Sequence, residues 1–289
     1  AFWKPKVKFW NVPLMRDTKV VERPAIQTTI TKRYTEETVQ YIKDNKAKPF
    51  FVYLAHSLPH VPLFTSSSFH GVSQRGLYGD VIEEIDWSVG QVLKTLEEEK
   101  LADNTLVFFT SDNGPWLIFD THGGSAGLLR DGKGSTWEGG MREPGIAWWP
   151  GKIKPHTSHA IASTMDIFTT CLTLAGAKVP NDRVVDGVDL SPILFEGAKR
   201  VRDAYFFYRG EQLYAVRLGP WKAHYITRPA YGRGQPEKHD PPVLYHLGHD
   251  PSEKHDLAKE HPEVLAEIAK EVAKHNAKLK RGKNQLDLI

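Results

Sequence analysis

Residues 105–114 read Thr105-Leu106-Val107-Phe108-Phe109-Thr110-Ser111-Asp112-Asn113-Gly114. The apolar run predicts a buried strand, and the abrupt change to polar residues marks where that strand ends. Just upstream, Asp103-Asn104 makes a turn. Before it, Tyr78 to Lys100 is an amphipathic helix, with Tyr78, Ile82, Ile85, Val89, Val92 and Leu96 recurring at spacings of three and four. Further back, Lys48-Pro49 punctuates the chain, and Phe50-Phe51-Val52-Tyr53-Leu54-Ala55 predicts another strand, apolar on both faces as in a parallel sheet. A strand, a long helix and a strand within about 60 residues predict an α/β layered architecture.

The reading extends in both directions. Residues 1–33 form an irregular lead-in with short extended pieces, and Thr35 to Lys46 is helical, with Val39 and Ile42 on one side. Gly145-Ile146-Ala147-Trp148-Trp149 is a third strand, closed by Pro150-Gly151. Ser163 to Ala175 is a helix with Ser163 as N-cap, Asp166 three residues on and Gly176 as the stop. Near residue 200 the texture changes. Tyr205 to Tyr208, Leu213 to Arg217 and Trp221 to Ile226 predict short antiparallel strands, the last two joined by a turn at Leu218-Gly219-Pro220. Residues 228–242 read as a polar loop. Pro262 opens a final helix with Leu265, Ile268, Val272 and Leu279 on one side, and Lys270, Lys274, Lys278, Lys280 and Arg281 as its solvated face. The expected division is residues 1–199 as one α/β domain and 200–289 as a smaller α+β subdomain.

Composition narrows the function classes. The chain has 289 residues with 38 basic and 35 acidic side chains, so the net charge is +3. That balance points away from nucleic acid or a membrane surface as the main partner. With 40% hydrophobic and 11% aromatic residues the chain can build a core, which excludes a largely disordered protein. One cysteine, Cys171, excludes a disulfide or zinc scaffold built on cysteine. It lies among apolar residues in a predicted helix, as a small core residue does. No stretch approaches the roughly 18 apolar residues of a membrane span. The first residues lack the charged-then-apolar order of a targeting segment. A start at Ala1 is compatible with processing and with a fragment of something longer.

Chemistry-bearing residues gather where the strands end, which is where open α/β sheets bind ligands. Asp112-Asn113-Gly114 can be an ordinary turn. Its carboxylate and amide oxygens also suit a hard cation such as calcium, ahead of magnesium, although calcium takes roughly six to eight oxygens and these supply only part of that set. The first strand runs into His56-Ser57-Leu58-Pro59-His60-Val61-Pro62. His60, between prolines, can be a surface residue or a fixed imidazole for hydrogen bonding or proton transfer. His56 competes for that role. A glycine-dense run from His122 to Gly140 holds Lys133 in Gly132-Lys133-Gly134. Glycines let backbone and lysine approach an oxyanion closely. Gly134 stands where a Walker A loop needs serine or threonine. A cation half-site, a fixed imidazole and a glycine-held lysine suit an anionic tetrahedral group, phosphate or sulfate.

Three segments carry a resemblance. Ser111-Asp112-Asn113-Gly114, the run Gly127-Leu128-Leu129-Arg130-Asp131-Gly132-Lys133-Gly134-Ser135-Thr136-Trp137-Glu138-Gly139-Gly140-Met141-Arg142-Glu143-Pro144, and Leu54-Ala55-His56 through Pro59-His60-Val61-Pro62 resemble type I sulfatases of the arylsulfatase A-like branch. Leu244-Tyr245-His246-Leu247 followed by Asp250-Pro251-Ser252-Glu253 resembles the C-terminal module of that family. The resemblance implies an alkaline-phosphatase-like α/β fold, a mixed sheet flanked by helices, followed by a small antiparallel sheet with a helix. It implies that Asp112 and Asn113 are calcium ligands, that Lys133 contacts the sulfate and that His60 lies near the sulfate and its leaving oxygen. His56 and His122 are possible pocket residues. The family's Cys-x-Pro-Ser-Arg segment, whose cysteine becomes the formylglycine nucleophile, does not occur here, and neither does its N-terminal Asp pair. Cys171 does not match that segment, so no nucleophile is assigned. The implied reading is the C-terminal portion of a sulfatase, inactive alone, with the missing N-terminal half as its partner. The implied mechanism is attack of a formylglycine hydrate on sulfur, assisted by calcium, Lys133 and His60, with release of an alcohol or phenol. Substrates would be sulfated small molecules or glycans. The compartment implied is periplasmic or secreted, or lysosomal in a eukaryote, and the lack of an Asn-x-Ser/Thr sequon favours a bacterial exported protein. A phosphoester hydrolase of the same broad fold and a non-catalytic module for sulfated glycans or other anions stand as alternatives.

Overall fold

A computed structural model describes residues 10–231, 234–279 and 282. Lys280 and Arg281, read as part of a solvated helix face, lie outside the described residues. The chain divides into two compact units. Of the described residues, the first takes 10–107, 118–124 and 149–151, and the second takes the rest.

The first unit opens with an antiparallel pair, β1 (Leu14–Arg16) and β2 (Lys19–Glu22), turning at Asp17, whose φ is 53°. This is one of the short extended pieces expected before residue 33. Helix α1 (Ile30–Asn45) begins five residues earlier than Thr35. Its buried face is Thr31, Thr35, Thr38 and Ile42, a mostly hydroxyl stripe at spacings of three and four. Helix α2 (Gly76–Glu98) packs against it. The close approach is tied by a hydroxyl pair, Thr35 Oγ1 and Ser88 Oγ at 2.6 Å. Ile85 and Leu96 of α2 are buried as the periodicity requires, whereas Ile82 is 40% exposed and Val81, outside the predicted stripe, is fully buried in its place. Two buried carboxylates on α2 hold the loop before it. Glu84 accepts from the Thr65 hydroxyl at 2.6 Å and the Ser66 N–H at 2.9 Å. Asp80 accepts the N–H groups of Ser73 and Gly71, and those bonds hold its carboxyl below the usual range.

Phe50–Ala55 departs from expectation. It pairs in no sheet among the described residues, and Phe51 and Tyr53 are 69% and 84% exposed. Exposed and half-buried side chains alternate from 51 to 55, so one side is covered where burial on both was expected. Apolar composition supplies the propensity for a strand, but the ladder needs a neighbouring strand.

The strand read at 105–110 is β3 (Val107–Thr110), which forms a two-stranded sheet with β4 (Gly145–Trp148). Between them in sequence lie a 3-10 segment, Leu117–His122, and a single α-helical turn, α3 (Glu138–Met141). In the second unit follow α4 (Met165–Leu174) and α5 (Ser191–Phe195). The N-cap is Thr164, with no side-chain cap bond, where Ser163 was expected. Only half of the capping pair forms: the Asp166 carboxylate accepts the Ser163 N–H at 2.7 Å, while it also takes the Val188 N–H at 2.9 Å and pairs with Arg202.

The C-terminal region is a four-stranded antiparallel sheet in sequential order: β5 (Ala204–Arg209), β6 (Gln212–Leu218), β7 (Trp221–Thr227) and β8 (Glu237–His246). The turn after β6 uses Gly219 at φ 55°, as the Leu-Gly-Pro triplet predicts. Helix α6 (Pro262–Lys278) covers one face. Val216, Ala223, Leu244, Ala258 and Ile268 are its buried core, with Phe206, Val264, Leu265 and Val272 packed around them. At roughly 1.5–3 kcal/mol for each large side chain, this cluster is a substantial part of the fold's stability. The first part of β8, up to residue 242, falls where the sequence predicts a polar loop. Pro241 and Pro242 disguise it, since proline cannot donate to a ladder, but β8 is an edge strand. The register jumps from His224↔Val243 to Ile226↔Lys238, so the prolines sit in a bulge.

Candidate active site

In the second unit, the Ser111–Gly114 segment lies directly on the glycine-dense run. Gly114 donates its N–H to the Gly140 carbonyl at 3.3 Å, and a Cβ on Gly114 would stand 1.8 Å from the Gly139 oxygen. Lys133 donates its N–H to the Pro115 carbonyl at 2.9 Å, and a Cβ on Gly132 would stand 2.3 Å from that same oxygen. Glycine at 114, 132 and 139 is therefore a packing requirement: any side chain would force two backbones apart. Asp112, Asn113 and Lys133 are thus attached to one backbone layer. Asp112 is exposed and Asn113 half-buried. A cavity of about 310 Å³ is lined by Gly114, Ser125, Leu129, Gly139, Arg142 and Glu143 among others. Burial pushes the Glu143 carboxyl up; the Ser111 hydroxyl works against the shift and the Asp112 charge reinforces it. The Lys133 ammonium stands 4.9 Å from the centre of the Trp116 ring.

The loop is anchored from below by a buried charged cluster that sequence reading missed. Glu138, Lys222, His224 and Glu253 are each at most 2% exposed. Lys222 Nζ lies 2.8 Å from Glu138 Oε1 and 3.4 Å from Glu253 Oε1. Glu253 Oε2 accepts the Glu138 N–H at 2.6 Å, and its Oε1 accepts from His224 Nε2 at 2.7 Å. A carboxylate only accepts, so Nε2 carries the hydrogen in neutral His224. Burial drives His224 down to about 4, although the Glu253 bond opposes the shift. Burial works to raise the Glu253 carboxyl, but the His224 bond and the Lys222 charge outweigh it and hold it low. Trp137 packs over His224 at 4.2 Å, and the Arg130 guanidinium covers the Trp137 ring at 3.7 Å while donating to the Glu253 carbonyl at 2.6 Å. One signal was available in sequence. Lys222 and His224 alternate on a strand otherwise apolar, so both point to one face of it, and charge on a covered face demands partners.

The three histidines belong to the first unit. Leu58, Val61 and Leu63 pack on Val81, Ile85, Leu77 and Tyr78 of α2, which leaves His60 at the exposed side of its loop. His60 Nδ1 is 2.7 Å from the Val61 carbonyl. A carbonyl only accepts, so Nδ1 carries the hydrogen of that bond. His56 faces Ser88 Oγ at 3.3 Å, in the hydroxyl pair between α1 and α2, and burial lowers its pKa. His122 is half-buried and ends a short 3-10 segment, Leu117–His122.

The Sulfatase family profile matches residues 1–177, and the profile for the C-terminal region of aryl-sulfatase matches 200–289. The chain belongs to the sulfatase family. N-acetylgalactosamine-6-sulfatase of Canis lupus familiaris is 40% identical over 314 residues, which cover 96% of this chain and 60% of that protein. Arylsulfatase A of Bos taurus is 39% identical over 279 residues, covering 90% and 55% respectively. The solved PsFucS1 sulfatase from Pseudoalteromonas sp. superposes with a TM-score of 0.79 at 26% identity, covering 89% of this chain and 56% of that one. The family resemblance and the mixed α/β fold class are both borne out. The chain spans about 60% of the length of the first of these relatives. Among the described residues no helix is long and apolar enough to cross a membrane, and no group of three or more His, Cys, Asp or Glu side chains is placed to hold a metal ion.

Proposed function

We propose that this chain supplies the sulfate-binding and half of the cation-binding side chains of a sulfate ester hydrolase. The observation that carries the reading is the backbone layer that joins Asp112-Asn113 to Lys133 through Gly114, Pro115 and Gly139. That layer supports the reading because a carboxylate, an amide oxygen and an ammonium carried on one backbone layer are the groups needed to hold a cation beside an oxyanion. Asp112 and Asn113 would hold calcium, and their two side chains fit as part of its oxygen shell. When bound, calcium neutralises charge on the sulfate oxygens. Lys133 takes a sulfate oxygen, and its ammonium stabilises the charge that grows there as the ester breaks. His60, with Nδ1 tied to Val61, gives or takes a proton through Nε2 at the leaving oxygen. His56 and His122 serve as pocket residues. No nucleophile is assigned to this chain. The reading places the formylglycine, and the remaining calcium ligands, in a partner or preceding segment that corresponds to the other part of the relatives' length.

Residues 1–199 and 200–289 act in this reading as catalytic domain and C-terminal subdomain, a division supported by where the two family matches fall. The substrate is a sulfated small molecule or glycan, and the compartment is periplasmic, secreted or lysosomal. The test is reconstitution. The purified 289-residue chain should release no sulfate from nitrophenyl sulfate. Mixing it with a chain carrying Cys-x-Pro-Ser-Arg should restore release. Turnover of nitrophenyl phosphate in place of the sulfate would move the assignment to a phosphoester hydrolase. Binding of sulfated glycan with no turnover in the reconstituted protein would make it a binding module.

A further inference from the structure

We infer that Trp116 and Tyr231 form an aromatic wall beside Lys133 that receives the flat ring of the esterified group, an aryl ring or a pyranose, while the lysine takes the sulfate. The inference rests on the sulfatase reading and adds a preference for ring-bearing esters. The Lys133 ammonium is 4.9 Å from the Trp116 ring centre, and Trp116 meets Tyr231 at 5.9 Å with the rings at 61°. Tyr231 is 46% exposed yet firmly placed. Its ring lies against Gly134, the residue after Lys133, so closely that a Cβ there would stand 2.8 Å from it. Gly134 also has φ +90°, which glycine alone adopts freely. The neighbouring Ala230 donates its N–H to Asp131 Oδ2 at 2.8 Å and is itself buried. Ala230 and Tyr231 thereby meet the glycine-dense run on both sides of Lys133.

Trp116 stands next to the ammonium and the exposed Tyr231 ring stands next to Trp116, so apolar surface and positive charge lie within one ligand's reach. A sulfate ester on a ring has the matching parts: an anionic head and, one bond away, a flat apolar face. A short alkyl sulfate has the head alone.

Binding to the 289-residue chain, read by titration calorimetry with phenyl sulfate and methyl sulfate, tests this without needing turnover. The expected result is about tenfold tighter binding of phenyl sulfate, equivalent to roughly 1.4 kcal/mol. Tyr231→Ala should remove that preference, and Tyr231→Phe should keep it. Equal affinity for the two esters, or a preference that survives Tyr231→Ala, overturns the wall. Sulfate release by the reconstituted protein reports separately on the reading beneath it. Preference without release sinks the hydrolase and leaves the wall; release without preference does the reverse.

Discussion

Lys222 and His224 sit two residues apart on β7, both fully buried and both facing Glu253. Removing the lysine charge would strand Glu138 and Glu253 in a place water cannot reach. Lys222→Met should therefore destabilise the chain by about 3–5 kcal/mol, the usual cost of breaking a buried pair from one side. Urea unfolding would show it as a lower midpoint with unchanged slope. His224 makes stability depend on pH with a definite sign. Its folded pKa of about 4 lies below the ordinary 6.5, so between those values the unfolded chain binds the extra proton. Stability is then fully present above pH 6.5 and falls as pH drops toward 4. Glu253, held low, loses its contribution in the same acidic direction. From pH 7 to pH 5 the histidine alone should cost about 2 kcal/mol. His224→Gln should flatten that part of the curve, and an unchanged curve in the variant would remove the histidine from the account.

At the scale of elements, the glycine-dense run is a rigid shelf, and its glycines differ in what they do. A Cβ at 139 would stand 2.2 Å from the Asp131 carbonyl and 2.4 Å from that of Arg130, whereas one at Gly90, inside α2, meets nothing. Gly139→Ala should cost about 1–3 kcal/mol and open residues 127–140 to protease. Gly90→Ala should be neutral or stabilising by up to about 1 kcal/mol. Limited proteolysis with thermal unfolding separates the two. Elements whose partners are local were legible in sequence: α2, α4, the β6–β7 turn and α6 all stand within a few residues of where periodicity puts them, although the N-cap of α4 is Thr164 and not Ser163. Elements defined by distant partners were not. Phe50–Ala55 looked like a doubly buried strand because composition carries no information about a neighbour, and β8 was hidden by prolines that only an edge strand tolerates. The candidate site divided the same way. Lys133 and Asp112-Asn113 announced themselves by motif, while the buried cluster and Tyr231 act through contacts made from far along the chain.

Across the whole chain, two family profiles and relatives near 40% identity agree on the sulfatase family, and the chain covers about 60% of the first relative's length. The functional reading joins that membership to one structural fact, the backbone layer that ties Gly114 and Pro115, which follow Asp112-Asn113, to Gly140 and Lys133. The most direct measurement is sulfate release from nitrophenyl sulfate by the reconstituted protein, with native Lys133 against Lys133→Ala, after circular dichroism has shown both folded. The account predicts release by the native protein and a fall of roughly 10²–10³-fold in kcat/KM for the variant, the range found when one group stabilising an oxyanion is removed. Equal rates in the two proteins would contradict it.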